Sequence, residues 1–300
     1  MTKGNYKWNN LEITWTDTDI DYYIIINKPQ FGEKYEPEKT IVYHMEPWCY
    51  ADDQKWGVKT WGEWAKPDPR KFLQVRSHDL FVNTVLWQLN MTYDEIKNTS
   101  MSNLKTLELV SSVCSSKYFD PGHKKRIDFL KYLESKDFPV HIYNEDNNLG
   151  FKSYKGTAQP SFDKEKAIIP YKYYFMCENN VEHNFVTEKM WEPIMCESLC
   201  FYWGCPNINE IVDPMAFVQL DMDDFEASYN IMNEAIKMNL WETRLPYIKE
   251  AKQKILEQSF FPTLEKVLKP KIVCFIHSCH IASIGTEKLD LVLDAVLKIK

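Results

Sequence analysis

Short apolar runs that stop at turn residues alternate along this chain with stretches whose apolar positions recur every three or four residues. That alternation predicts an α/β protein. In the first third, Tyr22 to Ile26 is closed by Asn27-Lys28-Pro29, and the run from Lys39 is closed by Glu46-Pro47, so both read as buried strands. Pro47 restrains Glu46 to an extended backbone and limits where its carboxylate points. Between Arg76 and Asn90 the residues Leu80, Phe81, Val82, Val85, Leu86 and Leu89 have helical spacing. His78, near the start of that stretch, reads as a surface or capping residue.

The middle of the chain carries the clearer pattern. Leu107 to Cys114 predicts a strand, a helix follows from His123 with Ile127, Leu130 and Leu133 on its buried face, and Phe138 to Tyr143 supplies the next strand. This is a βαβ unit. The cluster Lys124-Lys125-Arg126 opposes the helix dipole on the first turn, which an anion held by Arg126, or by Lys125 or Lys124 instead, would account for. Further on, the apolar run Tyr173 to Met176 stops at Glu178-Asn179-Asn180, and the chain resumes as Val186-Thr187-Glu188-Lys189. A buried parallel strand delivers polar groups to its carboxyl edge in this way, where open α/β sheets bind ligands. With Thr187 as N-cap, Glu188 and Lys189 fall in a helix first turn whose free N–H groups favour an anion such as phosphate.

Pro193 predicts a break in that helix. Leu199 to Trp203 reads as a second buried strand, and Gly204 begins a turn where backbone can approach a ligand closely. Ser102 to Lys105 reads as a link between domains, whereas Lys269-Pro270-Lys271 punctuates the chain before the apolar run from Ile272. The expected division is therefore 1–104, 105–270, and 271–300 as either the start of a further domain or a C-terminal appendage.

Composition narrows the class. With 300 residues and 44% hydrophobic content the chain can bury a substantial core, and its formal net charge of −7 argues against a nucleic-acid partner. The 8 cysteines are scattered, several within apolar runs, which reads as reduced core thiols and a cytoplasmic setting. No apolar run is long enough to span a bilayer. Cys196 and Cys200 lack partners at metal spacing, and Asp221-Met222-Asp223-Asp224 reads as a helix start with Asp223 or Asp224 as cap, so no metal site is expected. The segment 51–70, with Trp56, Trp61 and Trp64, reads equally as an acceptor-sugar platform and as cover over the first core.

Taken in order, Glu178-Asn179, Val186-Thr187-Glu188-Lys189, Phe201-Tyr202-Trp203-Gly204, Phe217-Val218 and Asp224-Phe225 resemble the donor-binding signature of the inverting α1,3/4-fucosyltransferases, glycosyltransferase family 10. The resemblance is good over 107–268 and thin before that. It implies a GT-B-like fold, two Rossmann-like α/β domains facing a central cleft. It also implies GDP-fucose as donor, an oligosaccharide or glycoconjugate acceptor (α1,3 to N-acetylglucosamine or glucose) and no essential divalent metal. By the same resemblance Glu46 is the catalytic base, and Arg126, Asn179, Glu188 and Lys189 bind the donor. Golgi relatives carry an anchor, so the likeness is to soluble bacterial or viral-type members, with a Golgi lumenal setting only if an anchor was removed. One departure is Phe185, where the family usually has Tyr before V-T-E-K. Another nucleotide-sugar glycosyltransferase of this architecture, or a noncatalytic glycan-binding module, is the alternative reading.

Overall fold

The structure, a computed structural model, describes residues 7–14, 18–46, 61–83, 85–268 and the strand Ile272–Ser278. Two six-stranded sheets organise it. The first contains β1 (Lys7–Trp8), β2 (Leu11–Thr14), β3 (Tyr22–Ile26), β4 (Thr40–Tyr43), β5 (Gln74–Arg76) and β12 (Ile272–Ser278), in the order β1-β2-β12-β3-β4-β5. Only the β1–β2 pair is antiparallel there. Residues 24–26 and 41–43 are all buried, as expected of strands covered on both faces.

The second sheet is parallel throughout. It contains β6 (Leu107–Val113), β7 (Val140–Tyr143), β8 (Tyr154–Gly156), β9 (Tyr171–Cys177), β10 (Leu199–Trp203) and β11 (Phe217–Gln219), in the order β11-β10-β9-β6-β7-β8. The helices are α1 (Tyr93–Asn98), α2 (Pro121–Ser135), α3 (Glu188–Met195), α4 (Ile208–Ile211), α5 (Phe225–Lys237), α6 (Leu240–Gln258) and α7 (Phe260–Val267). The α/β class and the two Rossmann-like halves of a GT-B-like arrangement are thus as expected.

Long-range contacts bind the halves together. Buried Lys252 on α6 donates to the Thr99 carbonyl at 2.9 Å, just after α1, and to Glu197 at 2.8 Å. Glu197 also accepts from the Ser102 backbone at 2.7 Å. The chain then returns to the first sheet, where Phe260 packs on Tyr43 with ring centroids 5.3 Å apart.

Three expectations are corrected and one open alternative is narrowed. First, the run at 272–278 does not open a further domain: β12 lies between β2 and β3, parallel to both. The rest of 279–300 lies outside the described residues. Second, the described residues of 76–90 are not helical. Asn83 is buried with its amide donating to the carbonyls of His44 (3.1 Å) and Arg76 (2.7 Å), and the Gln88 nitrogen donates to Glu192 (2.5 Å), so tertiary partners take groups a helix would need. Third, Pro193 does not break its helix, which runs on to Met195. Pro193 has no N–H to offer the carbonyl of Lys189, and that oxygen lies 3.9 Å from the Cys200 thiol instead. Fourth, of the two readings of the tryptophans, Trp61 is buried and covers the interior, whereas Trp64 is half-buried and packs edge-on to Tyr35 at 5.9 Å. Trp56 lies outside the described residues.

Candidate active site

The carboxyl end of β9 is where the second half concentrates its charge. Glu178, 0% exposed, accepts hydrogen bonds from the Thr187 backbone nitrogen (2.8 Å), the Thr187 hydroxyl (2.6 Å) and the Tyr202 hydroxyl (3.3 Å). Thr187 in turn caps α3, accepting from the Lys189 nitrogen at 3.4 Å. The loop between β9 and α3 is therefore pinned at both ends by one buried carboxylate. Gly204, at φ +156, allows this: a Cβ there would stand 2.4 Å from the Glu178 side chain.

Lys189 emerges from this knot with its ammonium 3.0 Å from Glu188, 3.6 Å from Glu178 and 3.2 Å from the Thr187 hydroxyl. Burial works against both charges of the Lys189–Glu188 pair. Their mutual attraction wins: the Lys189 ammonium is raised above its ordinary value, and Glu188 is drawn down to about 2 by Lys189 and then Lys164. Lys189 thus stays cationic while nearly covered.

Arg126 approaches from α2. It is 3% exposed and its Nη2 donates to the Cys177 carbonyl at 2.7 Å and to Asn179 Oδ1 at 3.1 Å, while Nε has no partner among the described residues. This brings Arg126 and Asn179 together. The close docking of α2 on the strand end depends on Gly122, whose nitrogen donates to the Asn179 carbonyl at 2.9 Å. A Cβ at Gly122 would meet the Glu178 carbonyl oxygen at 1.6 Å.

Glu46 comes from the other half, three residues past the end of β4. It is partly buried, and Lys189 and Glu188 of α3, with Lys117 and Asp120 of the β6–α2 loop, are close enough to act on its charge. Burial outweighs the attraction of Lys189 and raises Glu46 to about 8. A carboxylate so placed is a stronger base than an ordinary one. The five residues expected at the site thus converge on one place where the halves meet.

The other basic residues are used differently. Lys125 forms an ion pair with Asp223 and donates to the Met222 carbonyl at 3.1 Å, and Lys124 is exposed. Asp224 caps α5, accepting from the Ala227 nitrogen at 2.9 Å, so the acidic triplet starts a helix as expected. Cys114, Cys177, Cys196, Cys200 and Cys205 are buried and unbridged. No described helix is long and apolar enough to cross a membrane.

Sequence reasoning missed Glu178, Gly122, His123 and His78. Glu178 stood in the polar cluster ending the strand, but nothing in spacing distinguished it from Asn179. His123 is buried beside Arg126 and Lys189, and burial, then those two cations, lower it to about 3, so it sits in the site as a neutral ring. His78 is 1% exposed, not a surface residue.

Residues 103–244 match the family model described as Glycosyltransferase family 10 (fucosyltransferase) C-term. All of the second sheet lies within that match. Glu46 lies outside it. Similar curated proteins are GDP-fucose protein O-fucosyltransferase 3 of Danio rerio, 31% identical over 135 residues (43% of this chain, 27% of the relative), and that of Gallus gallus, 23% identical over 121 residues (38% and 23%). The chain thus spans about a quarter of the length of these relatives. Among solved structures, an α1,3-fucosyltransferase with GDP is 16% identical with a TM-score of 0.47, covering 82% of this chain and 80% of that one. An α-glucosyltransferase in complex with UDP is 10% identical with a TM-score of 0.48, covering 84% and 82%.

Proposed function

We propose that the chain transfers L-fucose from GDP-β-L-fucose to a hydroxyl of a glycan acceptor, with inversion. One observation carries the reading: two buried cations of the second half, Lys189 and Arg126, stand at the strand end with a single basic carboxylate, Glu46, supplied by the first half. The family match over 103–244 supplies the donor.

In this mechanism the Glu46 carboxylate takes the proton of the acceptor hydroxyl as its oxygen attacks the anomeric carbon. Attack comes from the side opposite GDP, so one bond forms as the other breaks and the configuration inverts. The transition state is oxocarbenium-like by analogy with glycoside hydrolysis, and charge grows on the departing diphosphate. Lys189 and Arg126 neutralise that charge from fixed positions. Preorganised donors of this kind are typically worth about 2.7–4 kcal/mol each. Asn179 and Glu188 bind hydroxyls of the ribose or of fucose. Two cations neutralise the diphosphate without a divalent metal.

The acceptor reading is an α1,3 linkage to N-acetylglucosamine or glucose. The names of the Danio rerio and Gallus gallus relatives favour a second one, a protein-borne acceptor. The test is a transfer screen with several nucleotide sugars against sugar, glycan and protein acceptors, run on the wild type and Glu46→Gln. The enzyme reading expects transfer from GDP-fucose alone, lost in Glu46→Gln while GDP still protects that variant against heat. A chain that binds glycans but turns over no donor is a noncatalytic module, and transfer from a different nucleotide sugar identifies another glycosyltransferase.

A further inference from the structure

The imidazole of His78 is 1% exposed, and the backbone of Glu46 is within its hydrogen-bonding reach. The surroundings of His78 suggest what the ring does. Its carbonyl accepts from Asn184 Nδ2 at 2.7 Å, and Asn184 is locked to Asn207 by two bonds of 2.9 Å. Its ring meets Phe185 edge-on, 5.3 Å between centroids at 89°. Phe185 and Asn184 belong to the loop that Glu178 pins at both ends. On its other side the ring lies beside His44 and the backbone of Glu46. His78 therefore touches both the donor-side loop and the segment that carries the general base.

We propose that His78 is a positioning residue, whose ring, set between Phe185 and the Glu46 backbone, fixes the Glu46 carboxylate relative to the donor-side loop. The proposal rests on the reading of Glu46 as the base. The ring suits this place because it is uncharged there: burial, then the neighbouring His44, lowers it to about 4, with the Glu46 backbone acting in the opposite sense. A neutral imidazole keeps one donor and one acceptor without adding a charge to a site already containing Lys189, Glu188, Lys117 and Asp120 around Glu46. Asp79, next in sequence, acts on His44 and on Glu182.

The test compares the full chain with His78→Phe, which keeps an aromatic ring against Phe185, and His78→Gln, which keeps polar donors and acceptors. Both leave the His78 backbone carbonyl for Asn184. Three readings are taken: kcat and KM for transfer, the pH dependence of kcat, and the titration of the Glu46 carboxyl by 13C NMR without substrate. His78→Phe is expected to lower kcat by about tenfold or more, since small displacements of a reacting group are costly. Its KM for GDP-fucose should stay within about twofold, which separates positioning from donor binding. The Glu46 titration should move by about half a pH unit or more, because its burial changes. His78→Gln should recover part of both.

Wild-type kcat and an unmoved Glu46 titration in a folded variant overturn the proposal. So does a loss of kcat accompanied by an equal loss of donor affinity, with the titration unmoved. If His78→Phe does not fold, His78→Gln decides by the same titration, which needs no turnover. A moved titration in a chain that transfers no fucose supports the link between His78 and Glu46 while removing the enzyme reading.

Discussion

Glu178 is bonded to Thr187 twice, accepting from its backbone nitrogen at 2.8 Å and from its hydroxyl at 2.6 Å. One residue follows the end of a strand and the other caps a helix, so the pair sets where the first turn of α3, and with it Lys189, stands. Glu178→Gln keeps the shape but turns one oxygen into a donor facing a donor. Stability should fall by about 1–3 kcal/mol, the cost of an unmet buried group. The first turn of α3 also loses its anchor, so Lys189 is less firmly placed and the protection that GDP gives in thermal melts should shrink as well. Equal melting of the variant and wild type, with and without GDP, would contradict this.

A methyl group at Gly122 has nowhere to go. The obstacle, 1.6 Å away, is the Glu178 carbonyl oxygen, followed by more backbone at 2.7 and 2.9 Å, and backbone cannot rotate aside as a side chain can. Gly122→Ala should therefore push α2 off the strand end and part Arg126 from Asn179. The expected cost is about 3 kcal/mol or more, at the upper end for overpacking, read from urea unfolding. Pro121→Ala, one residue earlier and exposed, is the control that should unfold like the wild type.

Glu46 gives transfer and stability opposite responses to pH. Its folded value of about 8 lies above the ordinary 4.5, so between those values the folded chain keeps a proton that the unfolded chain has lost. The linked stability is complete below 4.5 and is lost as pH rises through about 8. The basic carboxylate appears over the same upper range, so the transfer rate should climb as stability declines. Glu182 is also raised to about 8, by burial and then Asp79, with the same sign for stability but no role in transfer. Glu46→Gln should therefore abolish the rising limb of the rate profile while part of the stability slope remains. A rate profile flat from pH 6 to 9 in the wild type would remove Glu46 as the base.

How far the sequence could be read depends on how local each determinant was. The strands β6, β9 and β10 are short runs rich in apolar residues, and Thr187 as a cap is a matter of one side chain and the next turn, so these were legible. Lys189 and Arg126 could be nominated because cations on the first turn of a helix that follows a strand point to an anion, whereas Asn179 was nominated by the family resemblance. The stretch 76–90 misled because its helical spacing is genuine, while Asn83 and Gln88 bond to groups remote in sequence that no window contains. His78 was lost with it. For β12 the apolar run was plain, but its place between β2 and β3 requires the chain to return over more than two hundred residues, which periodicity cannot express.

The ion pair Lys164–Glu192 lies within the second half and touches the first through Gln88. Its atoms are 2.5 Å apart at 5% and 1% side-chain exposure, and Glu192 also accepts from the Gln88 nitrogen. Removing one partner strands the other charge, so Lys164→Ala should cost about 3–5 kcal/mol. Replacing both, as Lys164→Met with Glu192→Leu, takes partners from the Gln88 nitrogen and side-chain oxygen but strands no charge, and should recover most of that loss. Unfolding in urea of the two single variants and the double gives the comparison. Simple addition of the single losses would mean that the pair is not coupled.

The last prediction concerns β12. It pairs with β2 through Ile272 to Phe275 and with β3 through Cys274 to Ser278, so the edge strands β1 and β2 reach the remainder of the first sheet only through it. A chain ending at Leu268 would leave the ladder edges of β2 and β3 without their partner, and exposed strand edges of that kind promote association between chains. The second sheet keeps all of its strands in such a chain. Hydrogen exchange should therefore show lost protection in β2 and β3 with protection retained in β9 and β10, and gel filtration should show self-association. Because Glu46 follows β4 in the damaged sheet while Lys189 and Arg126 stay in the intact one, GDP should still raise the melting temperature of the second half although transfer is lost. Unchanged protection of β3 in the shortened chain would show that the first sheet closes without this strand.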